Sequence, residues 1–155
     1  MKRCLLLISI LFAICIAPCA ASDHISAVIE AEEDSAFVEE YYVLMNARGN
    51  EMTALCVMQT ADDGSIVGTM LNDFGVTMLD FKYSKGKAKV MNVFGPMNKW
   101  YIRKVLNKDF TFILSNIGKH ENAKSGKRSL TILPNGDIFV DNSKFKIQYT
   151  FSHTP

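Results

Sequence analysis

The sequence predicts a mainly β (α+β) fold: a curved antiparallel sheet or half-open β-barrel, with one helical segment at about 98–117 inserted before the last strands. Three observations predict it. Strand-like runs rich in Tyr, Val and Met are separated by short turn signals such as Arg48-Gly49-Asn50, Asp62-Asp63-Gly64 and Pro134-Asn135-Gly136-Asp137. After Gly95-Pro96 the apolar period changes to three and four, through Ile102, Val105, Leu106, Phe110, Ile113, Leu114 and Ile117. Near the end, Phe145, Ile147, Tyr149 and Phe151 alternate strictly with Lys144, Lys146, Gln148 and Thr150, as on a strand with one buried face.

Residues 1–21 read as a secretory signal peptide. Lys2 and Arg3 precede an apolar run, Cys4 to Ala17, broken only by Ser9, and small residues follow at Ala20, Ala21 and Ser22. The run is shorter than the roughly 20 residues a membrane-spanning helix needs, and no later stretch is long enough. The expectation is an exported, periplasmic protein without a transmembrane helix. Two processing routes fit. Ordinary cleavage after Ala21 suits the residues better. The alternative is a lipoprotein cut before Cys19, which would tie the protein to the outer membrane, but Pro18 makes a poor lipobox. Either route leaves Cys56 without a partner for an internal disulfide. It lies in the apolar run Leu55-Cys56-Val57-Met58 and reads as a buried small hydrophobe.

Residues 22–36 form an acidic segment, readable as a tether, a first strand at 27–31 or a short helix. Residues 37–155 form a single β domain. Its strands are expected at 40–47, 51–60, 66–71, 76–83 and 88–94, an antiparallel meander. Asn98 is placed to cap the helix and Gly118 to close it in the left-handed conformation. Asn107-Lys108-Asp109 marks a place where the helix breaks in two. Three strands end the domain, at 129–133, 138–140 and 145–151.

The chain holds 17 Lys+Arg against 16 Asp+Glu, yet the average conceals a division. Residues 22–81 carry 12 acids and one base, a net of −11, and residues 82–155 carry 4 acids and 14 bases, a net of +10. The boundary falls inside the meander, so the halves should pair across strands or present two oppositely charged faces. The slightly acidic balance of an exported chain argues against nucleic acid.

Little in the sequence points to catalysis. His24, His120 and His153 do not fall in ligand spacing. No nucleophile elbow, phosphate loop or paired-cysteine motif is present. The acid pairs read as solvated surface, and Asp80 reads as a structural ion pair, with Lys82 or across the sheet. The expectation is a non-enzymatic protein without metal or cofactor. On the helix, Lys99, Arg103, Lys104 and Lys108 make two i,i+4 pairs, a candidate docking face for lipid head groups or an acidic envelope protein. Seven methionines lie beyond the signal, mostly in strands. Their adaptable side chains suit ordinary core filling or a soft apolar ligand. The cavity lining expected for an acyl chain is Met78, Phe81, Trp100 and Tyr101.

The order of elements, and the segment from Gly68 to Tyr83 with a strand, a Gly-bearing turn at Asn72-Asp73-Phe74-Gly75 and a following apolar strand, resembles the Lol lipoprotein-carrier superfamily (LolA/LolB-like). The resemblance covers roughly residues 38–151. It implies an open β-barrel with a helical lid over a cavity for acyl chains, and no catalytic residues. The functional expectation is an envelope protein that binds lipid or another acylated or apolar molecule in a β-lined cavity, with a carrier-like role. The alternative is a protein-interaction module with a solid core and a charged docking face.

Overall fold

The computed structural model describes residues 37–154. The expected signal region, Cys19, His24 and the acidic segment with its candidate strand at 27–31 lie outside the described residues.

Among the described residues, nine antiparallel strands form one open sheet. β1 (Phe37–Ala47), β2 (Asn50–Thr60), β3 (Ile66–Leu71), β4 (Thr77–Ser84) and β5 (Lys87–Met91) follow one another as hairpins. The helix α1 (Trp100–Leu114) comes next. Then β6 (Ala123–Ser125), β7 (Arg128–Ile132), β8 (Ile138–Asn142) and β9 (Ile147–His153) form a second meander, and β9 returns to pair with β1. The order is β5-β4-β3-β2-β1-β9-β8-β7-β6, so β5 and β6 are edges and the sheet does not close. The mainly β class with one helix before the last strands is therefore as expected. The second meander has four strands rather than three, because the three-residue β6 is too short to show a period.

Alternation sets one face. Tyr41, Val43 and Met45 of β1 point inward with their cross-strand partners Cys56 and Ala54 of β2 and Phe151 and Tyr149 of β9. Gly68 of β3 pairs with Phe81 of β4. A Cβ at Gly68 would stand 2.3 Å from the Phe81 ring and 2.8 Å from the Val57 carbonyl oxygen. The missing side chain lets the Phe81 ring lie across β3 and meet Phe110 of α1, with ring centroids 4.9 Å apart.

α1 lies across this face, and its helical residues run unbroken through Asn107-Lys108-Asp109. The polar run expected to break the helix serves the sheet instead. The Val90 N–H donates to Asn107 Oδ1 at 2.6 Å, the Ala88 N–H to Thr111 Oγ1 at 2.9 Å, and Arg103 Nη2 donates to the Val90 carbonyl at 3.2 Å. Helix side chains thus satisfy the outer edge of β5, which would otherwise offer unpaired backbone groups. Two terminal expectations are corrected. The N-cap is Lys99, without a side-chain cap, while Asn98 Oδ1 accepts from Arg103 Nη1 at 3.2 Å. Beyond α1 a 3-10 turn (Ile117–Lys119) intervenes, and His120 rather than Gly118 takes the left-handed conformation.

Candidate functional site

The buried residues of α1 are Leu106, Asp109, Phe110, Phe112, Ile113 and Leu114, none of them before Leu106. The first half stands over the end of the sheet without filling the space beneath it. A groove of about 770 Å³ results, between α1 and the ends of β1, β2 and β9. Met45, Met52 and Ile147 of the sheet, Met97 of the 3-10 turn Gly95–Met97, and Ile102, Val105 and Leu106 of α1 line it, with Phe145 from the β8–β9 turn. Trp100 and Tyr101 stand at its mouth, 76% and 50% exposed, with their rings edge to face at 6.1 Å.

The polar part of the lining has one sign. Arg48, Lys104, Lys108, Arg128 and Lys144 line the groove, and no Asp or Glu does. Arg48 and Gly49 form a two-residue hairpin turn with φ of 56° and 89°. That left-handed pair suits the twist of the flanking strands but normally takes Asn or Gly first, so arginine here is strained. The turn is tied to its neighbour, because the Arg48 N–H donates to the Lys146 carbonyl at 3.0 Å.

Arg128 is held from behind. Asp109 is wholly buried, and its Oδ1 accepts from Arg128 Nε at 2.5 Å and from Asn142 Nδ2 at 2.8 Å. Its Oδ2 accepts from Tyr149 Oη at 3.0 Å. Burial, then the Asp109 charge and the hydrogen bond to it, push the Tyr149 phenol well above its usual range, with Arg128 opposing. Helix, β7, β8 and β9 thus converge on one carboxylate. Asn142 Oδ1 stays buried without a partner.

A second cleft, of about 850 Å³, adjoins the same two turns. It shares Arg48, Lys144 and Phe145 with the groove and is otherwise polar, with Asn46, Asp141, Ser143 and Gln148.

Of the four residues expected to line a cavity, Trp100 and Tyr101 do so. Met78 and Phe81 do not: both are buried in the packed core on β4, 8% and 1% exposed, and the Phe81 ring lies against Phe110 in the second half of α1. Strand alternation tells which face a residue takes but not which end of the sheet is left open. Met45, Met52 and Met97 take the lining role instead, while Met58 and Met70 fill the core. The expected docking face divides. Lys104 and Lys108 line the groove, Arg103 turns to the β5 edge, and Lys99 stays exposed at the N-cap. The two i,i+4 pairs are neighbouring stripes, about 100° apart around the helix.

Among the described residues, several acids of the first half bond neutral donors rather than the basic half. Glu39, Glu51, Asp73 and Asp80 accept from Tyr41, Asn46, Thr53 and Asn92, all neutral donors. Asp80 therefore bonds Asn92 at 2.7 Å rather than pairing with Lys82, which faces Lys89 across β4–β5. Asp63 is held below the usual carboxylate range chiefly by its hydrogen bonds with Ser65, with Lys82 the smallest influence. The ion pair Asp109–Arg128 joins two residues of the basic half.

Cys56 is buried at the centre of the sheet, and burial pushes its thiol up to about 12, so it is inert in the folded chain. Among the described residues no group of three His, Cys, Asp or Glu is placed to hold a metal, and no helix is long and apolar enough to cross a membrane. No protein-family model matches this chain, and no curated protein matches it.

Proposed function

We propose that this protein is a non-enzymatic binder of a lipid or another acylated, apolar molecule, held in the groove beneath the first half of α1. One observation carries the reading: an apolar groove of about 770 Å³, lined by three methionines and flanked by an exposed Trp-Tyr pair. That volume is within the roughly 300–1,000 Å³ of small-molecule sites. Unbranched thioethers adapt to chains of varied shape, and each methylene removed from water stabilises the complex by about 0.8 kcal/mol. The amphipathic Trp and Tyr rings offer a wet edge and an apolar body at the entrance. Together with the resemblance to the Lol carriers and the signal-like first residues, this favours a carrier-like role in the cell envelope after export.

The docking-module alternative is less favoured, because Arg103 turns to the β5 edge and Lys104 and Lys108 line the groove, which leaves Lys99 apart from them at the N-cap. Trp100 is the chain's single tryptophan and stands at the groove mouth, so its emission reports occupancy. Titrating the purified protein with a neutral apolar probe, such as dodecanol, should shift Trp100 emission to the blue and saturate. Substituting Ile102→Glu, a half-buried lining position, should abolish the shift. A titration without any saturable change would refute the reading.

A further inference from the structure

We propose that the groove selects an anionic single-chain amphiphile with a fatty-acid-type carboxylate, and that Lys104 and Lys108 bind its head. This rests on the groove-binding reading above and adds the chemistry of the head group and the residues that choose it. Five cations and no acid line the groove, whose remaining lining is apolar or aromatic except for Asn50. Arg128 is neutralised from behind by Asp109, so it orders the wall rather than attracting a ligand. Lys104 and Lys108 are exposed and make no hydrogen bond or ion pair among the described residues.

Their spacing of four residues puts them one above the other on α1, with Cβ atoms about 5–6 Å apart, close enough to share one carboxylate. Their methylene stems can lie along the apolar wall while the ammonium groups stay at the rim. Arg48 and Lys144, both against Phe145, line the groove from the turns at the end of the sheet, so cations come from the sheet as well as from α1. Uncompensated charge beside a low-dielectric wall raises the local potential and favours an anion over a neutral or cationic head. The tail would run inward over Met45, Met52 and Ile147.

Trp100 emission can be titrated with laurate, with dodecanol and with dodecyltrimethylammonium, three probes with one tail and heads of charge minus, zero and plus. Laurate should bind at least about fivefold more tightly than dodecanol at low salt. The gap should close as salt screens the rim, and the cationic probe should bind most weakly. In the double variant Lys104→Gln/Lys108→Gln most of the preference for laurate over dodecanol should be lost, with Arg48 and Lys144 left to supply the remainder. Both positions are exposed, so the variant keeps its fold, which far-ultraviolet circular dichroism checks. Equal affinity of laurate and dodecanol in the wild type, or a preference undiminished by the double substitution, overturns this inference and leaves groove binding standing. Failure of laurate and dodecanol alike to bind overturns both.

Discussion

Replacing Asp109 with alanine removes the acceptor on which four elements converge. The cost can be worked from the contacts. Tyr149 Oη and Asn142 Nδ2, both buried, lose their acceptor, at about 1–3 kcal/mol each for an orphaned group. The Arg128 side chain is 19% exposed and borders the groove, so its charge can turn toward water and adds less. The total, about 3–5 kcal/mol, agrees with what breaking one side of a buried ion pair costs. It is a large part of the 5–15 kcal/mol typical of a whole domain. Urea denaturation followed by circular dichroism measures it. A double-mutant cycle with Tyr149→Phe then isolates the mechanism. Alone, Tyr149→Phe should cost about 1.5–3 kcal/mol, because it removes a hydrogen bond to a charged acceptor. In the Asp109→Ala background it should cost nothing or stabilise, since the phenol is already an orphan. If the two changes add to within about 0.5 kcal/mol, the reasoning is wrong and the carboxylate is not the shared acceptor.

Gly68→Ala should cost about 1–3 kcal/mol in denaturation midpoint, since its Cβ would press on the Phe81 ring and the Val57 carbonyl; a neutral result would mean that β3 and β4 shift apart at little cost. Cys56, Tyr41 and Tyr149 all have pKa values raised by burial. The folded chain keeps their protons past the pH at which the unfolded chain releases them, so their contribution is full below about pH 9 and is lost as pH climbs above it, by about 1.4 kcal/mol per pH unit for each group in its window. Urea midpoints from pH 8 to 11 should fall accordingly, and Cys56→Ala should flatten the first part of the slope. Arg48→Asn relieves a left-handed arginine and should stabilise by about 0.5–1 kcal/mol in thermal melts; a loss of stability would show that the arginine side chain contributes more than its strain costs.

The strands were largely legible because their signals are local. Asp62-Asp63-Gly64 turns through the Asp63 carboxylate bonding the Ser65 N–H at 2.8 Å, and β3 spans the expected residues 66–71. The site was half legible. The spacing of apolar residues after Gly95-Pro96 places Trp100 and Tyr101 on a helix over the sheet, but alternation carries no information on position along a strand and so does not separate the core residues Met78 and Phe81 from a cavity lining. Asp109 was visible as a charge on the apolar stripe, three residues after Leu106 and four before Ile113. Its polar neighbours suggested a broken helix, since the partners that justify a buried carboxylate arrive 19, 33 and 40 residues later. Helix side chains serving β5 were also beyond reach, because edges belong to the assembled sheet and not to any segment of sequence.

The sealed β5 edge gives the sheet a direction of growth. With Asn107, Thr111 and Arg103 occupying the backbone groups of Ala88 and Val90, a further strand cannot add at those positions unless α1 lifts away. Among the described residues that leaves β6 as the side where another chain can pair. An object with one sticky side cannot propagate. Two copies joined β6 to β6 would use up both open edges of the described sheet and stop, so growth by strand addition there would end at a pair rather than a fibre.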